Sequence, residues 1–155
     1  MGLSDFLATA LLPLVAEKYP RCELIYVGDP SGVRASDTDE RSCFQVMHAL
    51  GLPVEPASSN AIEPRLEAVR YFLTRMVGKG QAALLLSRHV SILKNGFITG
   101  YQYDRVQVSG EARFRDKPAK NKFSHPHDAL QYLCTRLFNP LGDDTRRRTP
   151  VRVRR

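Results

Sequence analysis

Two aspartates stand where metal chemistry would need them. Asp29 follows the apolar run Glu23-Leu24-Ile25-Tyr26-Val27-Gly28, which reads as a buried strand. Asp128 falls in the first turn of a predicted helix, in the run Lys122-Phe123-Ser124-His125-Pro126-His127-Asp128-Ala129. Magnesium and manganese take hard oxygen ligands, commonly one or two carboxylates with water and phosphate in the remaining positions. Two such ions, roughly 3.5–4 Å apart, activate water and stabilise the leaving oxygen in phosphodiester hydrolysis. A carboxylate just past a buried strand projects into a crevice at the sheet edge, and one near a helix N-terminus stays ionised in the helix dipole. Asp128 also has a plainer reading, as a first-turn acid matched to that dipole.

The neighbouring side chains extend the pattern without fixing it. Lys117, Lys120, Asn121 and Lys122 precede the helix and could steer a DNA backbone, or equally form a solvated loop. His125 and His127 flank Asp128; the roles open to them are helix capping, a phosphate contact or a general base. No Cys or His cluster elsewhere has zinc spacing. There is no GxxxxGK[ST] phosphate loop, no GxGxxG after a strand and no GxSxG elbow. His48 and His89 have no recognisable nucleophile partner.

These residues must be positioned by an alternation of helices and strands. Leu3, Phe6, Leu7, Ala10, Leu11, Leu14 and Val15 recur at helical spacing, with Pro13 inside the pattern marking a kink or division. Residues 22–28 read as the first strand and Asp29-Pro30-Ser31-Gly32 as a turn. The acidic loop Asp37-Thr38-Asp39-Glu40 leads into a helix over about 40–50, stopped by Gly51. Pro53-Val54-Glu55-Pro56 is a short extended piece. A helix with Pro64 in its first turn then carries an apolar stripe of Ile62, Leu66, Val69, Phe72, Leu73 and Met76. Residues 81–87 suit a buried strand, Val90, Leu93 and Phe97 a short helix, and 101–108 a strand with one wet face. Residues 109–122 are polar and turn-rich. The last helix is expected over 125–138, with Ser124 as N-cap and Ala129, Leu130, Leu133 and Leu137 inward. This is an α/β pattern with a mixed or mostly parallel sheet of three or four strands.

The length of 155 residues suits one domain with a real core, and no run approaches the roughly 20 apolar residues of a membrane span. Residues 6–16 are apolar but lack the basic leader and cleavage site of a signal peptide. Cys22, Cys43 and Cys134 are odd in number and widely spaced, as expected of reduced thiols. Net charge is +7, of which +4 falls in residues 139–155, where six arginines face Asp143 and Asp144. That segment is expected as a basic, disordered tail, either attracting phosphate or simply solubilising the terminus.

Several segments, in order, resemble the C-terminal nuclease region of the tailed-phage terminase large subunit, the DNA-packaging motor protein. They are Tyr26-Val27-Gly28-Asp29-Pro30-Ser31-Gly32 with Asp39-Glu40-Arg41-Ser42 and Gly51-Leu52-Pro53-Val54; Asn60 through Leu73; Gly96-Phe97 with Gly100-Tyr101-Gln102-Tyr103; and Lys117 through Tyr132. The resemblance covers roughly residues 5–138. It implies an RNase H-like mixed sheet flanked by helices, two Mg²⁺ or Mn²⁺ ions, and cutting of concatemeric double-stranded viral DNA in the bacterial host cytoplasm. It also implies the terminase ATPase part, the small terminase subunit and the portal as partners. Asp29 matches the family's second metal carboxylate and Asp128 its third. The first belongs on a strand before the opening helix, where this sequence has only Met1-Gly2, so residues 1–138 are expected as a nuclease domain lacking its first strands. Asp37, Asp39 or Glu40 are weak substitutes for the missing ligand. Two functions follow as expectations: a metal-dependent endonuclease using Asp29 and Asp128, or a catalytically silent module keeping DNA or packaging-complex contacts.

Overall fold

The computed structural model describes residues 2–36, 39–106 and 113–138. Asp37 and the basic segment 139–155 lie outside the described residues. The chain is mixed α/β and forms two compact units, one described over residues 2–57 and the other Ser58–Phe138.

The first unit opens with α1 (Leu3–Phe6), a π-helical turn (Leu7–Leu11) and α2 (Leu12–Lys18). The expected disturbance at Pro13 takes the form of that π turn. Pro13 has no N–H to offer the preceding turn, and the ladder widens just before it, with the Leu12 amide bonded to the Leu7 carbonyl. Leu7 is the buried residue of this segment, whereas Phe6 and Leu14 are about half exposed.

β1 is Tyr26–Gly28, shorter than the expected 22–28. After a 3₁₀ turn (Pro30–Val33) come β2 (Ala35–Ser36), β3 (Asp39–Ser42), α3 (Cys43–Ala49) and β4 (Val54–Pro56). Asp39 and Glu40, expected in an acidic loop, instead open β3, which pairs antiparallel with β2. The expected extended piece at Val54 is a true strand, pairing parallel with β1 as Tyr26↔Val54 and Gly28↔Pro56. Ser42 starts α3 with a capping box: Gln45 N–H donates to its hydroxyl at 3.2 Å, and the Gln45 side-chain oxygen accepts from Ser42 N–H at 2.8 Å. Gly51 ends this turn of chain at φ 76°, a left-handed conformation open to glycine. The core of the unit is Leu7, Phe44, Leu52, Val54 and Ala57. The Phe44 ring lies so close to the backbone that a Cβ on Gly28 or Gly32 would come within 2.8 or 2.7 Å of it.

The second unit is built on α4 (Ile62–Thr74) packed against α6 (Ser124–Leu137). Ala68, Val69, Leu130 and Cys134 form its core, flanked by Phe72, Leu84, Leu93 and Phe138. Between the helices lie a small hairpin, β5 (Met76–Val77) and β6 (Gln81–Ala82), then α5 (Ser91–Asn95) with a π turn (Gly96–Gly100), and a ribbon of β7 (Tyr103–Val106) and β8 (Arg113–Pro118).

Five sequence expectations change here. The buried strand over 81–87 reduces to two exposed residues, and Leu85 is 79% exposed. Part of the segment expected as turn-rich is β8. Ser124 is the first helical residue of α6 rather than its N-cap; its hydroxyl donates to the Ala119 carbonyl and accepts from Asn121 N–H at 2.7 Å. The inward face of α6 runs through Ser124, His127, Leu130, Gln131 and Cys134, leaving Ala129, Leu133 and Leu137 exposed. The strands also pair only two by two among the described residues, with one parallel and three antiparallel pairings, in place of a single sheet.

Candidate nucleic-acid interface

Asp128 sits one turn into α6, on the side of the helix that faces α4. Its carboxylate accepts from two cations: the Arg65 guanidinium on one oxygen, and Lys120 Nζ at 3.2 Å on the other. The two partners differ in kind. The Arg65 side chain is 8% exposed and that of Lys120 77% exposed. An exposed lysine is held weakly, whereas a buried guanidinium deprived of its carboxylate would be an uncompensated charge.

Arg65 is fixed by more than Asp128. Its guanidinium lies over the Tyr132 ring at 4.4 Å from the centroid. Asn60 Oδ1 accepts from the Tyr132 hydroxyl at 2.7 Å and, at 3.4 Å, from Arg65. Cation–π contact and a planar donor fork are arginine chemistry that lysine does not reproduce. Arg65 Nε and Gln131 Oε1 are buried without a partner among the described residues.

Beside this centre opens a pocket of about 320 Å³ lined by Asn60, Arg65, Tyr101, Lys117, Lys120, Ser124 and Asp128 among others. Its lining holds three cations and one carboxylate, a balance that favours an anion in the mouth. Gln131 Nε2 donates to the Tyr101 hydroxyl at 2.9 Å, and burial raises the Tyr101 phenol above its ordinary pKa despite that bond.

His127 is not at the surface. It is 2% exposed, stacked on Tyr101 at 4.6 Å and edge-on to Phe97 at 4.7 Å, with Nε2 donating to the Leu93 carbonyl at 3.2 Å. Burial lowers its pKa, favouring the neutral ring. The ring presses so closely on the backbone that a Cβ on Gly96 would lie 2.0 Å from Nε2. The phosphate contact expected of His127 is thus replaced by a packing role, because an enclosed ring cannot reach a ligand in solvent. His125 is exposed, and Lys122 Nζ lies 5.2 Å from the Phe123 ring centroid.

Asp29 belongs to the first unit. Its carboxylate accepts from Ser31 N–H at 2.8 Å and so caps the 3₁₀ turn that follows β1. Asp29 and Asp128 lie in different units, each described within its own. Asp39 and Glu40 fall in β3, and Asp37 lies outside the described residues.

Both Asp128 oxygens carry cationic donors, so a divalent ion would have to displace Lys120 or Arg65 to bind there. Among the described residues no three His, Cys, Asp or Glu side chains gather as a metal site. The donor set around Asp128 therefore does not fit a pair of divalent ions as it stands; it fits an ion-paired carboxylate beside an anion-attracting rim.

Arg65, Asn60, Tyr101 and Tyr132 were not singled out as site residues by sequence. Arg65 carried one signal: it interrupts the α4 apolar stripe, three residues after Ile62 and four before Val69, where a charge must find a buried partner. No family model, curated protein or solved structure matches the chain. No helix among the described residues is long and apolar enough to cross a membrane.

Proposed function

We propose that this chain binds double-stranded DNA through the basic rim of the second unit, as an RNase H-like nuclease region of the terminase large-subunit kind. The observation that carries the binding is the pocket beside Asp128, whose mouth holds Lys117 and Lys120 on a segment that continues through Lys122 into α6. Lysines on a short segment tied to a helix start can follow a phosphate backbone, displacing its counterions. Lys120 is exposed and held to Asp128 by one contact, so it is free to exchange a carboxylate for a phosphate. The terminase reading rests on the ordered segments from Tyr26 to Tyr132; a carboxylate on the last helix, and a strand just before Asp29 that pairs parallel with a later one, are in keeping with it. It places the chain in viral DNA packaging in the host cytoplasm, alongside an ATPase part, a small subunit and a portal.

A second reading is a Mg²⁺- or Mn²⁺-dependent endonuclease with Asp29 and Asp128 as ligands. It is favoured by the opening of Asp128 onto the pocket, and it requires Asp128 to part from at least one cation. Incubating supercoiled plasmid with the full chain and Mg²⁺ or Mn²⁺ separates the two. Plasmid bound but left intact supports the binding module; metal-dependent nicking that Asp128→Ala abolishes supports the endonuclease. Neither binding nor nicking overturns both.

A further inference from the structure

The β7–β8 ribbon stands apart from every core contact described above. All of β7 and β8 up to Lys117 is exposed, including Phe114 at 60% and Val106 at 38%. Arg105, Arg113, Arg115 and Lys117 outnumber Asp104 and Asp116 among the described residues of the ribbon, and none of the four pairs with a carboxylate among the described residues. Its base, by contrast, is firmly tied. Ala119 N–H donates to the Gln102 carbonyl at 2.8 Å, Asn121 Nδ2 to the Gly100 carbonyl at 2.8 Å, and the Ser124 hydroxyl to the Ala119 carbonyl. These bonds join the ribbon to the start of α6, beside the pocket of Asp128.

A solvent-facing ribbon with unpaired arginines and exposed apolar side chains has few stable uses in isolation. Two strands about 4.8 Å apart fit a major groove about 12 Å wide, and six residues of strand reach roughly 20 Å along it. Arginine there reads the O6 and N7 acceptors of guanine, and apolar side chains meet the thymine methyl. Paired Val106↔Arg113 and Arg105↔Phe114 each set one apolar and one guanidinium group side by side across the strands.

We infer that the β7–β8 ribbon enters the major groove of duplex DNA with the face that Arg113 and Arg115 share, placing these two on base edges while Lys117 and Lys120 hold the adjoining phosphates. The inference rests on the DNA-binding reading above and adds a groove and a reading element to it.

The test compares binding of the full chain to two labelled duplexes of one sequence, one with guanine and one with 7-deazaguanine. The second keeps every phosphate but loses the major-groove N7 acceptor. Affinity for the 7-deaza duplex is expected to fall roughly tenfold, and Arg113→Ala/Arg115→Ala is expected to bind both duplexes alike. Equal binding of both duplexes by the unaltered chain would overturn groove entry and leave phosphate binding standing. Binding of neither would overturn the DNA reading itself, and the ribbon's role with it. The comparison of duplexes needs no variant, so misfolding of the double variant would not blur it.

Discussion

Arg65 and Lys120 grip the same carboxylate, yet their removal should be felt very differently. Deleting one partner of a buried ion pair typically costs roughly 3–5 kcal/mol; with Asp128 still held by Lys120, Arg65→Ala is expected to cost about 2 kcal/mol. Lys120→Ala, an exposed partner, should cost less than about 1 kcal/mol. Urea unfolding of the two variants checks the ranking, and equal losses would refute it. His127 sets a pH response. Its folded pKa lies below the ordinary 6.5, so the unfolded chain takes up its proton first. The contribution of His127 is complete above that value and is lost as pH falls from there towards the lowered one. Thermal unfolding at pH 7.5 and 5.5 should show a loss that shrinks in His127→Gln. Tyr101, Phe97, the Leu93 carbonyl and Asp128 surround the ring, and the Asp128 charge moderates the effect. Thiol chemistry offers a third check: Cys22 and Cys43 are exposed, whereas burial pushes the Cys134 thiol up to about 11. Two thiols should react under native conditions at pH 8 and the third only on unfolding. Asp128 and Lys120 were legible in sequence because a helix start and a basic run are local signals. Arg65 was not, since its partner lies 63 residues away.

The elements show the same division between local and distant causes. The α3 stop at Gly51, Pro64 in the first turn of α4 and the π turn before Pro13 follow from backbone chemistry readable residue by residue. The inward face of α6 did not, because leucines at helical spacing suggested Ala129, Leu133 and Leu137, whereas polar groups on the other face found partners: Gln131 on Tyr101, His127 on Leu93 and Asp128 on Arg65. Hydrogen bonding decided which stripe faces inward. Strands were the least legible, since two- to six-residue segments leave little alternation to read, and an apolar run such as Ala83-Leu84-Leu85-Leu86 carries no sign of exposure. Two glycines test the packing directly. Gly51→Ala meets open space but a left-handed backbone, and should cost about 1 kcal/mol. Gly96→Ala drives a methyl into the buried His127 ring and should cost more, about 1–3 kcal/mol with local rearrangement. Thermal unfolding of the pair checks the order, and a harmless Gly96→Ala would contradict the close approach of the Gly96–Gly100 turn to α6.

The molecule as a whole carries +7, and where that charge acts decides between a solubilising surface and a working one. Mixed α/β class was evident from the alternation of segments, but the division into two units was not, because the loop-type run Pro56-Ala57-Ser58-Ser59-Asn60 at the boundary looks like any other connection between elements. A basic protein binds DNA weakly whatever its shape, so affinity alone says little. The salt dependence of binding counts the phosphates engaged, and each lysine lost from a phosphate contact lowers the slope by about one. The most direct measurement is therefore fluorescence anisotropy of a labelled duplex across a salt series, comparing the full chain with Lys117→Ala/Lys120→Ala. Both proteins keep the six arginines of residues 139–155, so any change reports on the rim beside Asp128. A slope reduced by about two units places both lysines on phosphates. An unchanged slope would show that the rim of the second unit does not contact DNA.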